Sequence, residues 1–80
     1  MNTYQIRFWV TCPSNGKSIE YALEIKTKTM IQVEDLMAFL SEEKTAYHEP
    51  LADRLAAKFG GVQTMTANHH GVQITTERSK

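Results

Sequence analysis

The sequence predicts an α+β fold with the element order ββααββ, on three observations. Apolar residues alternate with polar ones near both ends of the chain, the period lengthens to that of a helix in the middle, and turn-forming residues separate the segments. At residues 4 to 11, Tyr4, Ile6, Phe8 and Val10 face one way and Gln5, Arg7, Trp9 and Thr11 the other, the pattern of a half-buried strand. Cys12-Pro13-Ser14-Asn15-Gly16-Lys17 is a turn, with proline fixing φ and Asn-Gly tolerating positive φ. Alternation resumes with Ile19, Tyr21, Leu23 and Ile25 against Glu20, Ala22, Glu24 and Lys26, so the two runs form a hairpin.

The period then changes. Val33, Leu36, Met37 and Leu40 stand at i, i+3, i+4 and i+7, a helical stripe expected to be core, with Glu34 and Asp35 complementing the dipole of the first turn. Pro50 suits the first position of a second helix, where its missing N–H needs no partner. Leu51, Ala52, Leu55, Ala56 and Phe59 form that helix's apolar face, and Gly60-Gly61 ends it. Two short strands follow, Val62 to Thr66 and Val72 to Glu77, joined by an Asn68-His69-His70-Gly71 turn. Such an order gives a four-stranded antiparallel sheet with both helices on one face. The other face is expected to carry Arg7, Trp9, Thr11, Glu20, Ala22, Glu24, Gln63, Met65, Gln73 and Thr75.

Eighty residues fit one domain, 1–80, near the lower limit for a self-sufficient core, so self-association into a homo-oligomer is expected to supply the rest. Nine basic and nine acidic residues cancel, which argues against nucleic acid or anionic lipid as partners. A single cysteine excludes an internal disulfide and fits a reducing compartment. No apolar run approaches the roughly 20 residues that span a bilayer. The start lacks the charged-then-apolar plan of a signal peptide, so a cytoplasmic protein is expected.

All three histidines and the cysteine fall at the ends of predicted elements, where loops gather groups that bind protons or substrates. Cys12 is a candidate nucleophile if hydrogen bonds or a cation lower its pKa; otherwise it packs as a small hydrophobe. Glu49 either anchors a ligand or stabilises the N-terminus of the second helix. His69 and His70 are adjacent in a hairpin and point to opposite sides, so neither a shared metal ion nor any other cofactor is expected. Trp9, with Arg7 and Met65, marks the open sheet face as a candidate surface for a protein partner.

Cys12-Pro13-Ser14-Asn15-Gly16, then Tyr47-His48-Glu49, then His70-Gly71-Val72-Gln73-Ile74 stand in an order that resembles the tunnelling-fold (T-fold) superfamily. Within it the chain is most similar to a shortened nitrile reductase of queuosine biosynthesis, over residues 4 to 77. The resemblance implies ββααββ units whose sheets join side by side into oligomeric barrels. It also implies Cys12 as the thioimide-forming nucleophile and Glu49 as the acceptor for the neighbouring N–H groups of a purine-like or pterin-like ring. His48 and His70 would stand beside that ligand. The family's Gly-Gln-Pro-Asp continuation, with its proton-transferring aspartate, is here Gly16-Lys17-Ser18-Ile19, and Glu20 is only a loose substitute. Its Glu-Ser-Lys-Ser segment is shortened to Val33-Glu34-Asp35-Leu36. Full nitrile reductase activity is therefore not expected. Two functions follow: a self-associating T-fold-like module that binds such a ring, or a non-catalytic interaction module of phage or accessory type that binds protein through its open sheet face.

Overall fold

The computed structural model describes residues 1–80. The order is ββααββ: β1 (Asn2–Thr11), β2 (Ser18–Thr27), α1 (Val33–Glu42), α2 (His48–Phe59), β3 (Val62–His69) and β4 (Val72–Ser79). The strands form one antiparallel sheet in sequential order, which leaves β1 and β4 as its edges. No helix is long and apolar enough to cross a membrane.

Period-two alternation in β1 and β2 sets their faces. Val10, Ile19, Tyr21, Leu23 and Ile25 are buried, while Tyr4, Ile6 and Phe8, on the edge strand, are only partly so. On the opposite face the register pairs Gln5 with Glu24, Arg7 with Ala22 and Trp9 with Glu20.

In β3 the faces are reversed from the sequence expectation. Gln63, Met65 and Ala67 point into the core, and Thr64 and Thr66 line the open face. Gln63 decides this: its side-chain amide donates to the carbonyls of Leu55 (3.0 Å) and Gly60 (2.8 Å) at the C-terminal end of α2. A strand has a single alternation, so burying Gln63 buries Met65 as well. Met65 is 1% exposed and is not part of a partner-binding face.

Both helices cover the same sheet face. α2 packs on β3 and β4, with Leu51, Ala52, Leu55 and Ala56 buried. It begins two residues ahead of the expected Pro50: Tyr47 is the N-cap, and its carbonyl accepts from the Leu51 N–H at 3.2 Å. Pro50 thus lies inside the first turn, where an N–H is dispensable.

α1 runs along β1 and is tied to it at both ends. The Ile31 N–H donates to the Tyr4 hydroxyl (2.9 Å) before the helix. After it, the Thr11 N–H donates to the Lys44 carbonyl (2.9 Å) and the Ala46 N–H to the Thr11 carbonyl (3.2 Å). Of the expected core stripe only Leu36 and Leu40 are buried; Val33 is 54% and Met37 53% exposed. They flank the core on the side of α1 away from Phe39, which packs edge-on against Phe59 at 5.6 Å.

Two turns need glycine. The closing hairpin is tighter than expected: His69 pairs with Val72, leaving His70 and Gly71 as a two-residue loop with φ of 56° and 87°. Gly61, at φ 73°, passes so close to β2 that a Cβ there would lie 2.6 Å from the Lys26 carbonyl oxygen.

Candidate functional site

The two hairpin turns and the start of α2 meet at one end of the sheet. Antiparallel order requires the Cys12–Lys17 turn before β2 and the His70-Gly71 turn after β3 to lie side by side. An Asn15 Nδ2–His70 Nε2 contact of 2.7 Å joins them. α2 brings His48 to the same end, where its ring lies against Tyr21 and His69, while Glu49, the next residue, reaches Arg78 of β4.

Tyr21 is the hub. Its ring stacks on Phe8 (centroids 5.4 Å apart) and meets His48 at 5.3 Å and His69 at 5.9 Å. Burial pushes its hydroxyl pKa up, and the charge of Cys12 adds to this. The sequence marks Tyr21 only as a core position; its place two residues from Ile19 and Leu23 is the signal for burial, and nothing local signals its neighbours.

Cys12 keeps the inward parity of Val10 and is buried, with its Sγ 3.1 Å from the Ser14 hydroxyl. That hydroxyl lowers the thiol pKa, the backbone N–H groups of Ser14 and Asn15 add to the effect, and burial opposes it. The turn is built to hold these donors. The Gly16 N–H donates to the Cys12 carbonyl (2.9 Å), and the Asn15 side chain accepts from the Lys17 N–H (2.9 Å). Glu20 points to the other face, where it pairs with Arg7 at 3.7 Å. It is therefore on the wrong side of the sheet to pass a proton to a substrate on Cys12.

The histidines divide. His48 is 6% exposed, and its Nδ1 lies 3.2 Å from His69 Nε2. Its own Nε2 is buried without a hydrogen-bond partner. Burial lowers the His48 pKa and neighbouring His69 lowers it further; the Met65 carbonyl and Glu49 pull the other way, and Arg78 adds to the lowering. His70 turns instead to Asn15. No group of three or more His, Cys, Asp or Glu side chains is arranged to hold a metal ion.

Glu49 is the second residue of α2 and its carboxylate is largely exposed. Its one charged neighbour is Arg78 of β4, at 3.7 Å, and that guanidinium is held more closely by Asp53 at 2.7 Å. Most of the Glu49 acceptor capacity is thus free, as the anchoring of a ring's N–H groups requires. Arg78 was not among the residues singled out from sequence; it shares the inward parity of Ile74 and Thr76 on β4.

Arg7 and Trp9 lie together on the open sheet face, Trp9 63% exposed. Beside them is a shallow trough of about 430 Å³, lined among others by Gln5, Arg7, Ala22, Glu24 and Thr66. Ala22 is the shortest side chain on its strand, and the taller neighbours on β1 and β3 form the walls. Comparison with family models, with curated proteins and with solved structures finds no match.

Proposed function

We propose that the chain is a cytoplasmic, self-associating module of T-fold type. In this reading Glu49 binds a purine-like or pterin-like ring near a subunit boundary, with His48, Cys12 and His70 at the same end of the sheet. The observation that carries the reading is an unfinished core beside an unpaired edge. β1 is ten residues long, contains no proline, and ends the sheet with Tyr4, Ile6 and Phe8 only partly covered. Val33 and Met37 continue that apolar surface on α1. A long edge without proline, with Arg7 as its one charged side chain, invites another strand. Four antiparallel strands make β1 and β4 run in opposite directions, so the β4 edge of one copy continues the pattern against the β1 edge of the next.

Full nitrile reductase chemistry is not part of the proposal, since Cys12 has a hydroxyl neighbour and Glu20, the loose substitute for the family's aspartate, lies on the opposite face of the sheet. The test is thermal unfolding against a panel of purines and pterins. A ring held by Glu49 raises the midpoint by mass action, and Glu49→Gln removes the effect. No shift with any compound contradicts the ligand site.

A second reading has its own observation. Trp9, exposed beside the trough and close to Arg7, suits an anchor for a protein partner on the open face. Here Trp9→Ala abolishes partner capture while the domain stays folded; retained capture rules this reading out.

A further inference from the structure

We propose that the His48–His69 pair is an acid-sensitive latch that holds the first turn of α2 against β3 and releases it when both rings carry a proton. With both imidazoles neutral, one N–H donates across the 3.2 Å gap between His48 Nδ1 and His69 Nε2. With one proton added, an imidazolium N–H still donates to a neutral ring. A second proton leaves N–H facing N–H and sets two cations against each other. The closed state has no arrangement that tolerates this.

The surroundings keep that second proton out. From β2 comes the buried ring of Tyr21, whose nearest charged neighbour is Cys12. From β3 come His69 itself, which disfavours a cation on His48, and the Met65 carbonyl, which favours one; from β4 comes the Arg78 guanidinium, which disfavours it. On α2 itself Glu49 favours one, while the positive end of the helix dipole opposes it. His48 Nε2 is enclosed without an acceptor, so an imidazolium there would bury an unpaired N–H.

The direction with pH follows. His48 in the folded chain titrates below its ordinary value of 6.5, so the released turn binds more protons than the latched one. The latch is fully closed above that ordinary value and weakens as pH falls below it. Glu49 and Pro50 sit on the released turn, so acid also moves the Glu49 carboxylate. The latch does not depend on Glu49 binding a ring.

The test is an NMR titration of the three histidine rings, with amide hydrogen exchange at the start of α2, from about pH 7.5 to about pH 5. In the wild-type chain the ring signals of His48 and His69 change together as the latch opens. As the latch opens, amides from Leu51 to Arg54 lose protection by about tenfold or more. In His69→Gln residue 69 takes up no proton, the repulsion between the rings is gone, and the α2 amides stay protected to a lower pH than in the wild type; His70→Gln behaves as wild type. Equal loss of protection in His69→Gln overturns the latch. Wild-type ring signals give a test that needs no variant: release must coincide with proton uptake at both His48 and His69. Release without that uptake, or uptake without release, also overturns it.

Discussion

On α2, Leu51, Ala52, Leu55 and Ala56 are all buried against β3 and β4, and the flank is closed by the Arg78–Asp53 ion pair at 2.7 Å. On α1, half of an equally regular stripe stays out: Leu36 and Leu40 are covered, Val33 and Met37 are not. The two helices differ in what lies beneath and beside them. α2 sits over a strand pair whose inner side is filled by Met65, Ala67 and Gln63, whereas α1 lies along the outermost strand and has no neighbour beyond β1. Helical periodicity identifies an apolar face; the number of strands beside it decides how much of that face is covered. The α2 half is finished within one chain; the α1 half leaves Val33 and Met37 uncovered, and in the proposed assembly a second copy would cover them.

The closed half should suffer most from substitution. Leu55 is fully buried, and Leu55→Ala should cost about 2–5 kcal/mol in urea unfolding, through lost burial and the cavity left behind. Gly61→Ala comes next, at about 1–3 kcal/mol, since a side chain there combines positive φ with a collision at the Lys26 carbonyl. Gln63→Leu keeps the burial but strips two partners from the end of α2, and should cost a similar 1–3 kcal/mol, roughly, by the same unfolding measurement. Met37→Ser is the contrasting case. Within a subunit it should change stability by less than about 0.5 kcal/mol, yet it should weaken association measurably by sedimentation. A Met37→Ser cost as large as that of Leu55→Ala would erase the distinction between the two halves.

The element order and the faces of β1 and β2 were legible in the sequence, because their alternation is strict and their apolar sets are unmistakable. β3 was not. Val62, Thr64 and Thr66 compete with Gln63, Met65 and Ala67 as the inward set, and only the end of α2, a tertiary partner, puts Gln63 inside. The start of α2 was misread for a related reason: Pro50 marks the first turn of the helix and not its first residue.

The site was legible in part. That Cys12, His48 and the hairpin histidines collect at one end follows from where they fall in the elements. Which of them touch does not: His69 pairs with His48, His70 with Asn15, and Tyr21 links the cluster from a position that reads as plain core. Adjacent hairpin residues part company by geometry, so one histidine serves the interior and the other the turn.

The central claim is that the apolar flank along β1 is covered by another copy of the chain. Absolute mass by light scattering coupled to size exclusion tests it directly, at several concentrations. The expected result is one fixed multiple of 9.1 kDa that persists on dilution, as a closed ring of subunits requires. A mass of 9.1 kDa at every concentration would contradict the claim and, with it, the placing of Glu49 at a subunit boundary.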